Sequence, residues 1–190
     1  MKGIKEAFGQ AFGAARYTGL FWLVLRLFVG YEFLVAGWDK VASGKSVGGN
    51  AIGGFLQGAL KKAATGEHPE VQGWYVDLVN GVFLPNAVLF STLVALGEVL
   101  VGVALILGIF TKFSALSGAV MNVAFLAAGT SSSNPQMLVM EVAMIFGGAG
   151  VAFYGIDHFL MPYLRNLFNI EGEPEKAGVP SQGSLPEAVR

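Results

Sequence analysis

Cysteine is absent from the 190 residues, and this absence excludes several kinds of redox chemistry. Without thiols the chain cannot form disulfides, ligate an iron–sulfur cluster or use a catalytic thiolate. The 2 histidines, His68 and His158, lie far apart in sequence, which argues against a protein-ligated metal centre. We recognise no metal, haem or flavin site. If the protein takes part in redox chemistry, its electrons must enter and leave through bound small molecules.

Charged residues are also scarce. They make up 13% of the chain, about half the share of a soluble domain, whereas 54% of the residues are hydrophobic. The formal net charge of −1 leaves no basic surface for nucleic acid. This composition predicts a single-domain membrane protein.

Four apolar stretches predict an all-α membrane protein with a four-helix transmembrane bundle. Each stretch has about 16 to 24 residues, which is enough to cross a hydrocarbon core of roughly 30 Å with some tilt. The membrane domain, residues 18–168, would contain spans at about 20–37, 87–110, 113–128 and 137–154. An even number of spans places both termini on one side, and the positive-inside rule favours cytoplasmic termini in the cell membrane.

The segments outside the spans also carry patterns. Residues 1–17 predict a short amphipathic helix on the membrane surface. The connection over residues 38–85 has two amphipathic patches, the second beginning at Pro69, and predicts a partly helical cap on the extracytoplasmic side. The tail, residues 169–190, is rich in Gly, Pro, Ser and Glu and is predicted to be disordered.

Three of the spans carry a lone glutamate near the middle, namely Glu32, Glu98 and Glu141. An ionised side chain in hydrocarbon costs several kcal/mol, so such residues usually have a partner or a function. A rise of 1.5 Å per residue places all three about 20 Å from the terminal side, with Arg26 below them and Lys40 above.

Two interpretations of this charged layer stay open. In the first, Arg26 pairs with one glutamate and the charges specify helix packing. In the second, the charges line a polar pocket between the helices. Such a pocket suits a quinone, whose head group needs hydrogen-bond donors and two protons on reduction, and Asn122 and Tyr31 could donate. Trp74 and Tyr75 of the cap could close over the site, and Lys40 and Arg26 could attract an anionic reductant.

The order of three local strings resembles the DoxX/DoxD family of small four-helix membrane proteins. These strings are RLFVGYEFLVAGWDK from Arg26, LVALGEVLVGVALILGIFTKFSAL in the second span, and MNVAFLAAGTSSSNPQMLVMEVAMI across the third and fourth spans. The positions that match the family pattern are Arg26, Gly37, Lys40, Gly97, Glu98, Gly102, Asn134 and Glu141.

The resemblance implies the membrane subunit of a thiosulfate:quinone oxidoreductase, with a membrane quinone as bound co-substrate. It also implies a bilayer environment and either a second subunit or a sulfurtransferase partner, and it leaves a homo-oligomer open. We therefore predict Glu98, Glu141 and Arg26 as catalytic residues. The residues predicted to bind substrate are Lys40, Asn122, Asn134, Trp74, Tyr75, Glu32 and Tyr31.

Other functions remain as alternatives. A non-catalytic integral subunit or scaffold would dock redox or sulfurtransferase partners on the cap, and its charges would be structural. A transporter of small solutes would use the same ionisable groups, but four spans without a visible inverted repeat are not typical of one.

Overall fold

A computed structural model describes residues 2–44, 50–65 and 69–167. Regular structure in these ranges is entirely helical. The α-helices are α1 Lys2–Ala42, α2 Asn50–Ala63, α3 Gly73–Leu78, α4 Ala87–Leu107, α5 Thr111–Ala127, α6 Asn134–Phe146 and α7 Asp157–Leu167, with a π-helical segment Val79–Phe83 and a 3-10 segment Ala149–Ala152. The chain forms two compact units, Met1–His158 and Phe159–Arg190, and the contacts discussed below lie within the first. The predicted tail, residues 169–190, lies outside the described residues.

The first span is part of a much longer helix than predicted. α1 has 41 residues and runs without a break through residue 17, where we expected an interfacial helix to end. The stretch from Lys2 to Ala42 contains no proline that could interrupt the backbone hydrogen bonds. The surface position of residues 1–17 stays a prediction.

The predicted bounds of the second and third spans agree closely with α4 and α5. Pro85 and Asn86 precede α4, as expected, although the Asn86 side chain does not cap this helix and instead donates to the Val82 carbonyl at 2.9 Å. Gly108 ends α4 with a left-handed backbone, at φ 69°, which glycine adopts without steric cost.

The predicted fourth span, residues 137–154, is not one continuous helix. α6 has only 13 residues, about 20 Å of helix, and ends at Gly147, whose backbone is extended. The chain then turns so closely that a Cβ on Gly147 would collide with the Val151 side chain. By length and hydropathy, two helices in the described ranges are candidate membrane spans, Tyr17–Ala42 and Ala87–Leu107, whereas Thr111–Ala127 is apolar but shorter.

The distribution of side chains differs from that in a water-soluble domain, although the buried residues are still mostly apolar. Large apolar side chains on the helices are widely exposed, for example Leu100, Phe113 and Val139. Polar and charged side chains are buried as well, namely Arg26, Ser91, Glu98, Thr111, Ser114, Asn122, Glu141 and Asp157. This arrangement is expected for helices whose outer faces contact lipid.

Glycines allow α1 and α4 to pack at very short distance. A Cβ added to Gly102 would lie 2.6 Å from the backbone nitrogen of Leu34, and a Cβ added to Gly37 would lie 2.7 Å from that of Val99. On the same face, a Cβ on Gly30 would lie 3.0 Å from the Gly102 carbonyl oxygen. Small residues at such positions are typical of helix pairs in membranes.

The cap is partly helical, as predicted, and packs on the end of α5. Its apolar cluster includes Leu56 of α2, Val71 and Tyr75, together with Ala128 after α5. The Tyr75 hydroxyl donates to the Ala124 carbonyl at 3.0 Å. This packing fixes α2 over the end of the bundle where the α5–α6 turn lies.

Candidate functional site

A cavity of about 320 Å³ lies at the cap end of the bundle, a size within the usual range of ligand sites. Residues of α1, α2, α4, α5, α6 and the α5–α6 turn border it. The apolar part of the lining is Phe33, Ala36, Ile52, Phe55, Val94, Phe125 and Met137, and the polar part is Glu32, Lys40, Ser91, Glu98, Asn122, Thr130, Ser132, Ser133 and Asn134.

An ion pair between Lys40 and Glu98 joins α1 to α4 beside this cavity. The Lys40 ammonium donates to both carboxylate oxygens, at 2.6 and 2.5 Å. The Glu98 side chain is 2% exposed and that of Lys40 is 29% exposed. Gly37 lies one turn before Lys40 and lets the two helices approach at this level, since its added Cβ would be 2.8 Å from the Glu98 Cβ. The buried carboxylate is therefore neutralised by one specific partner.

Glu32 faces the cavity rather than the outside of the bundle. It is half-buried, and the Ser133 hydroxyl donates to its Oε2 at 3.3 Å. This bond joins the middle of α1 to the α5–α6 turn. Among the described residues Glu32 has no ion-pair partner, so it brings an uncompensated negative charge to the cavity.

Glu141 lies deeper and reaches the cavity only through Asn122. Its side chain is fully buried, and Asn122 Nδ2 donates to its Oε2 at 2.9 Å. Gly118 makes room for the carboxylate, because a Cβ there would collide with Glu141 Oε1. Asn122 borders the cavity, whereas Glu141 does not.

Several buried polar atoms around the cavity lack a hydrogen-bond partner in the described part of the chain. These atoms are Ser91 Oγ, Asn122 Oδ1 and, one residue further in, Glu141 Oε1. Buried polar groups in native proteins are nearly always satisfied by protein, water or ligand. Ordered water or a hydrogen-bonding guest in the cavity could satisfy these atoms. Arg26 Nε and Thr111 Oγ1 are also buried without a described partner, but these two residues do not border the cavity.

Arg26 does not belong to this site. Its guanidinium donates to the carbonyls of Val151 at 3.3 Å and Tyr154 at 2.7 Å, and it lies close to Gly108 and Gly155. The expected ion pair between Arg26 and a glutamate of the layer is therefore wrong for the described contacts. The reason is the break after α6, which leaves backbone carbonyls that need donors away from water.

Asp157 has a structural role near Arg26, with which it interacts electrostatically. Its carboxylate accepts from the backbone N–H groups of Phe110 and Thr111, each at 2.7 Å, and so caps the start of α5. Phe110 has a left-handed backbone, at φ 45°, which is rare for this residue type and is held by that contact.

Of the remaining residues predicted to bind substrate, some border the cavity and others do not. Asn134 borders the cavity and donates to the Thr130 carbonyl at 3.0 Å. Tyr31 and Trp74 are 60% and 62% exposed and do not border it. Tyr75 is buried in the cap, also away from the cavity, and burial raises its pKa. The expectation that Trp74 and Tyr75 close the site is wrong, because α2 contributes the cap side of the lining.

Some site residues were not predicted, and a spacing signal could have found one of them. Ser91 and Glu98 are seven residues apart on α4 and therefore share a face. Ser132 and Ser133 lie in the turn and carried no periodic signal. In the described ranges, no group of three or more His, Cys, Asp or Glu residues could hold a metal ion.

Comparison with known proteins identifies the family to which the chain belongs. No curated protein and no solved structure matches this chain. The DoxX family model matches residues 21–131, more than half of the chain. The match includes Glu32, Lys40, Glu98 and Asn122 of the cavity and ends before Asn134 and Glu141. The chain belongs to the DoxX family.

Proposed function

We propose that the protein is a quinone-linked oxidoreductase of the membrane, or the membrane subunit of one, and that the cavity holds the quinone head group. The observation that carries this proposal is the combination, in one cavity, of aromatic walls with buried polar atoms that lack partners. A head group is flat and apolar on its faces and has an oxygen at each end, so it needs both kinds of lining.

The residues present fit such a head group. Phe33, Phe55 and Phe125 supply apolar surface, and the Ser91 hydroxyl can donate to a ligand oxygen. When bound, a quinone supplies a carrier of two electrons and two protons. Glu32 and Glu98 border the space where its oxygens would lie, and a carboxyl group at hydrogen-bond distance can take up or release a proton there.

Membrane placement is part of the same proposal. α1, α4, α5, and α6 with the segment that follows it would form a four-span bundle in the plasma membrane. The termini would be cytoplasmic, and the cap with the cavity would lie near the outer surface, where a quinone can enter from lipid. The reductant would be a small sulfur anion such as thiosulfate, as the family resemblance implies, with a second subunit or a sulfurtransferase as partner.

Quinone binding by the full-length protein in lipid nanodiscs tests the proposal. A short-chain benzoquinone should bind saturably, and Ser91→Ala should weaken binding by about fivefold, the value of one hydrogen bond. Thr111→Val is a matched control, because Thr111 Oγ1 is also buried and without a described partner but does not border the cavity. Absence of saturable binding by a folded wild-type protein would refute the proposal.

A scaffold without catalytic activity is the second candidate, and one observation favours it. Arg26 and Asp157, two of the buried charges, satisfy backbone groups and touch no cavity. If Glu98 and Glu141 are also purely structural, Glu98→Gln should reduce stability or assembly without a separable loss of quinone reduction. A folded Glu98→Gln variant that loses only turnover would contradict the scaffold.

A further inference from the structure

We infer that the cavity admits an uncharged head group and excludes small anions, so that an anionic reductant must be bound elsewhere. This inference rests on the proposed quinone site and specifies what that site selects. It departs from our expectation that Lys40 and Arg26 attract an anionic substrate.

The charge of the lining is the first reason. Its charged side chains in the described ranges are Glu32, Glu98 and Lys40, which sum to a formal charge of −1. The single ammonium is held 2.5 Å from Glu98 Oε2, and Glu32 has a hydroxyl, not a cation, as its described partner. Among the residues that the structure describes, an anion entering this space would meet one unbalanced carboxylate and no unpaired cation.

The position of the second predicted cation is the second reason. Arg26 is 1% exposed, donates to two backbone carbonyls and does not border the cavity. Moving it toward the cavity would leave those carbonyls without a donor in an apolar environment, which is costly. Arg26 therefore cannot supply the positive charge that an anion in the cavity would need.

An uncharged guest avoids both problems. The aromatic side chains supply apolar surface, and Ser91 and Asn122 supply hydrogen-bonding groups that carry no charge. The desolvation penalty of burying a neutral polar group is far smaller than that of burying an ion without a counterion. The selection thus follows from the Lys40–Glu98 pair, which neutralises the cation that the described residues bring to the lining.

Direct binding measurements separate the two ligand classes. The full-length protein in nanodiscs of zwitterionic lipid is dialysed against radiolabelled thiosulfate, with sulfate as a second anion, at constant ionic strength. A short-chain benzoquinone is titrated in parallel. The wild type should bind the quinone and show no saturable binding of either anion.

Variants test whether charge is the cause. Glu98→Gln removes the carboxylate that neutralises Lys40 and should produce saturable thiosulfate binding; adding Lys40→Met should abolish it. Glu32→Gln breaks no ion pair and should give a smaller gain in the same direction, which keeps the inference testable if Glu98→Gln does not fold. Glu70→Gln is the matched control, since Glu70 pairs with Lys62 at 3.6 Å and does not border the cavity.

The outcomes separate this inference from the proposed function. Saturable thiosulfate binding to the wild type that the quinone competes away would overturn the inference. A failure of both Glu98→Gln and Glu32→Gln to gain any anion binding would also overturn it. If the wild type binds neither ligand but Glu98→Gln gains thiosulfate binding, the charge inference stands and the quinone proposal fails.

Discussion

Replacing Lys40 by methionine should destabilise the protein more than replacing Glu98 by glutamine, although both changes remove the same ion pair. The difference comes from what each change leaves behind. Lys40→Met leaves a carboxyl group, 2% exposed, that must either stay ionised without a cation or take up a proton, and both are costly. Glu98→Gln leaves an ammonium on a side chain that is 29% exposed and long enough to turn its end toward water.

The expected magnitudes lie between two limits. Breaking a buried ion pair by removing one partner costs roughly 3–5 kcal/mol, whereas an exposed pair contributes about 0–1 kcal/mol. Because Lys40 is partly exposed, we expect Lys40→Met to lower the free energy of unfolding by about 2 kcal/mol. Glu98→Gln keeps an acceptor for Lys40 and should cost under about 1 kcal/mol.

Unfolding in detergent micelles, followed by circular dichroism at increasing denaturant, measures these differences. The double variant Lys40→Met/Glu98→Gln should be close to Glu98→Gln alone, because it leaves no unpaired charge. The deficit of Lys40→Met should shrink at acidic pH, where protonation of Glu98 removes the uncompensated charge. Equal costs for the two single variants, or additive costs in the double variant, would refute the reasoning.

Three further predictions concern the fold around the site. Asp157→Asn should lower stability by about 1–2 kcal/mol, measured as a shift in the unfolding midpoint, because it weakens two charge-assisted bonds at the start of α5; no shift would contradict that role. Tyr75→Phe should cost about 1 kcal/mol. Burial raises the pKa of Tyr75 above the ordinary tyrosine value of 10.0. The stability from its hydroxyl is therefore complete below pH 10 and is lost as pH rises through the folded pKa, which absorbance titration of the tyrosinate can follow. Gly102→Ala should destabilise the α1–α4 pair by at least about 1 kcal/mol, whereas Gly97→Ala, whose Cβ would lie 3.5 Å from Met121 Sδ, should be tolerated; similar melting temperatures for both variants would contradict this.

The helices that begin after strong local signals could be predicted from the sequence. Pro85 and Asn86 precede α4, and the Asn-Pro pair at Asn134 opens α6 with proline in its first turn. Local backbone preferences determine such starts. The early end of α6 could not be predicted in the same way. In this segment Gly147 packs against Trp22 and Gly150 against Thr18 of α1, and these tertiary contacts are not encoded in a local pattern.

The site could be predicted only in part. Counting depth along the spans placed Glu32, Glu98 and Glu141 at one level, and the first two border the cavity, whereas Glu141 contacts it only through Asn122. The depth of a residue along a helix does not show in which direction its side chain points. It therefore could not show that Tyr31 points outward. Nor could composition show that α2, rather than the Trp74 segment, contributes to the cavity lining, because both segments have amphipathic patterns.

The buried charged side chains therefore form two groups that differ in their hydrogen-bond partners. At the end of the bundle where α4 leads into α5, Arg26 and Asp157 satisfy carbonyl and N–H groups that the broken helices leave without partners, and of their side-chain atoms Arg26 Nε alone is buried without a described partner. At the cap end, the backbone makes no such demand on Glu98 or Glu32. Glu98 is neutralised by Lys40 from a neighbouring helix, and Glu32 remains without a cation beside a cavity with unsatisfied polar atoms. Carboxylates that the backbone does not require are the ones most readily explained by a bound guest, and this places the search for function at the cap end of the bundle.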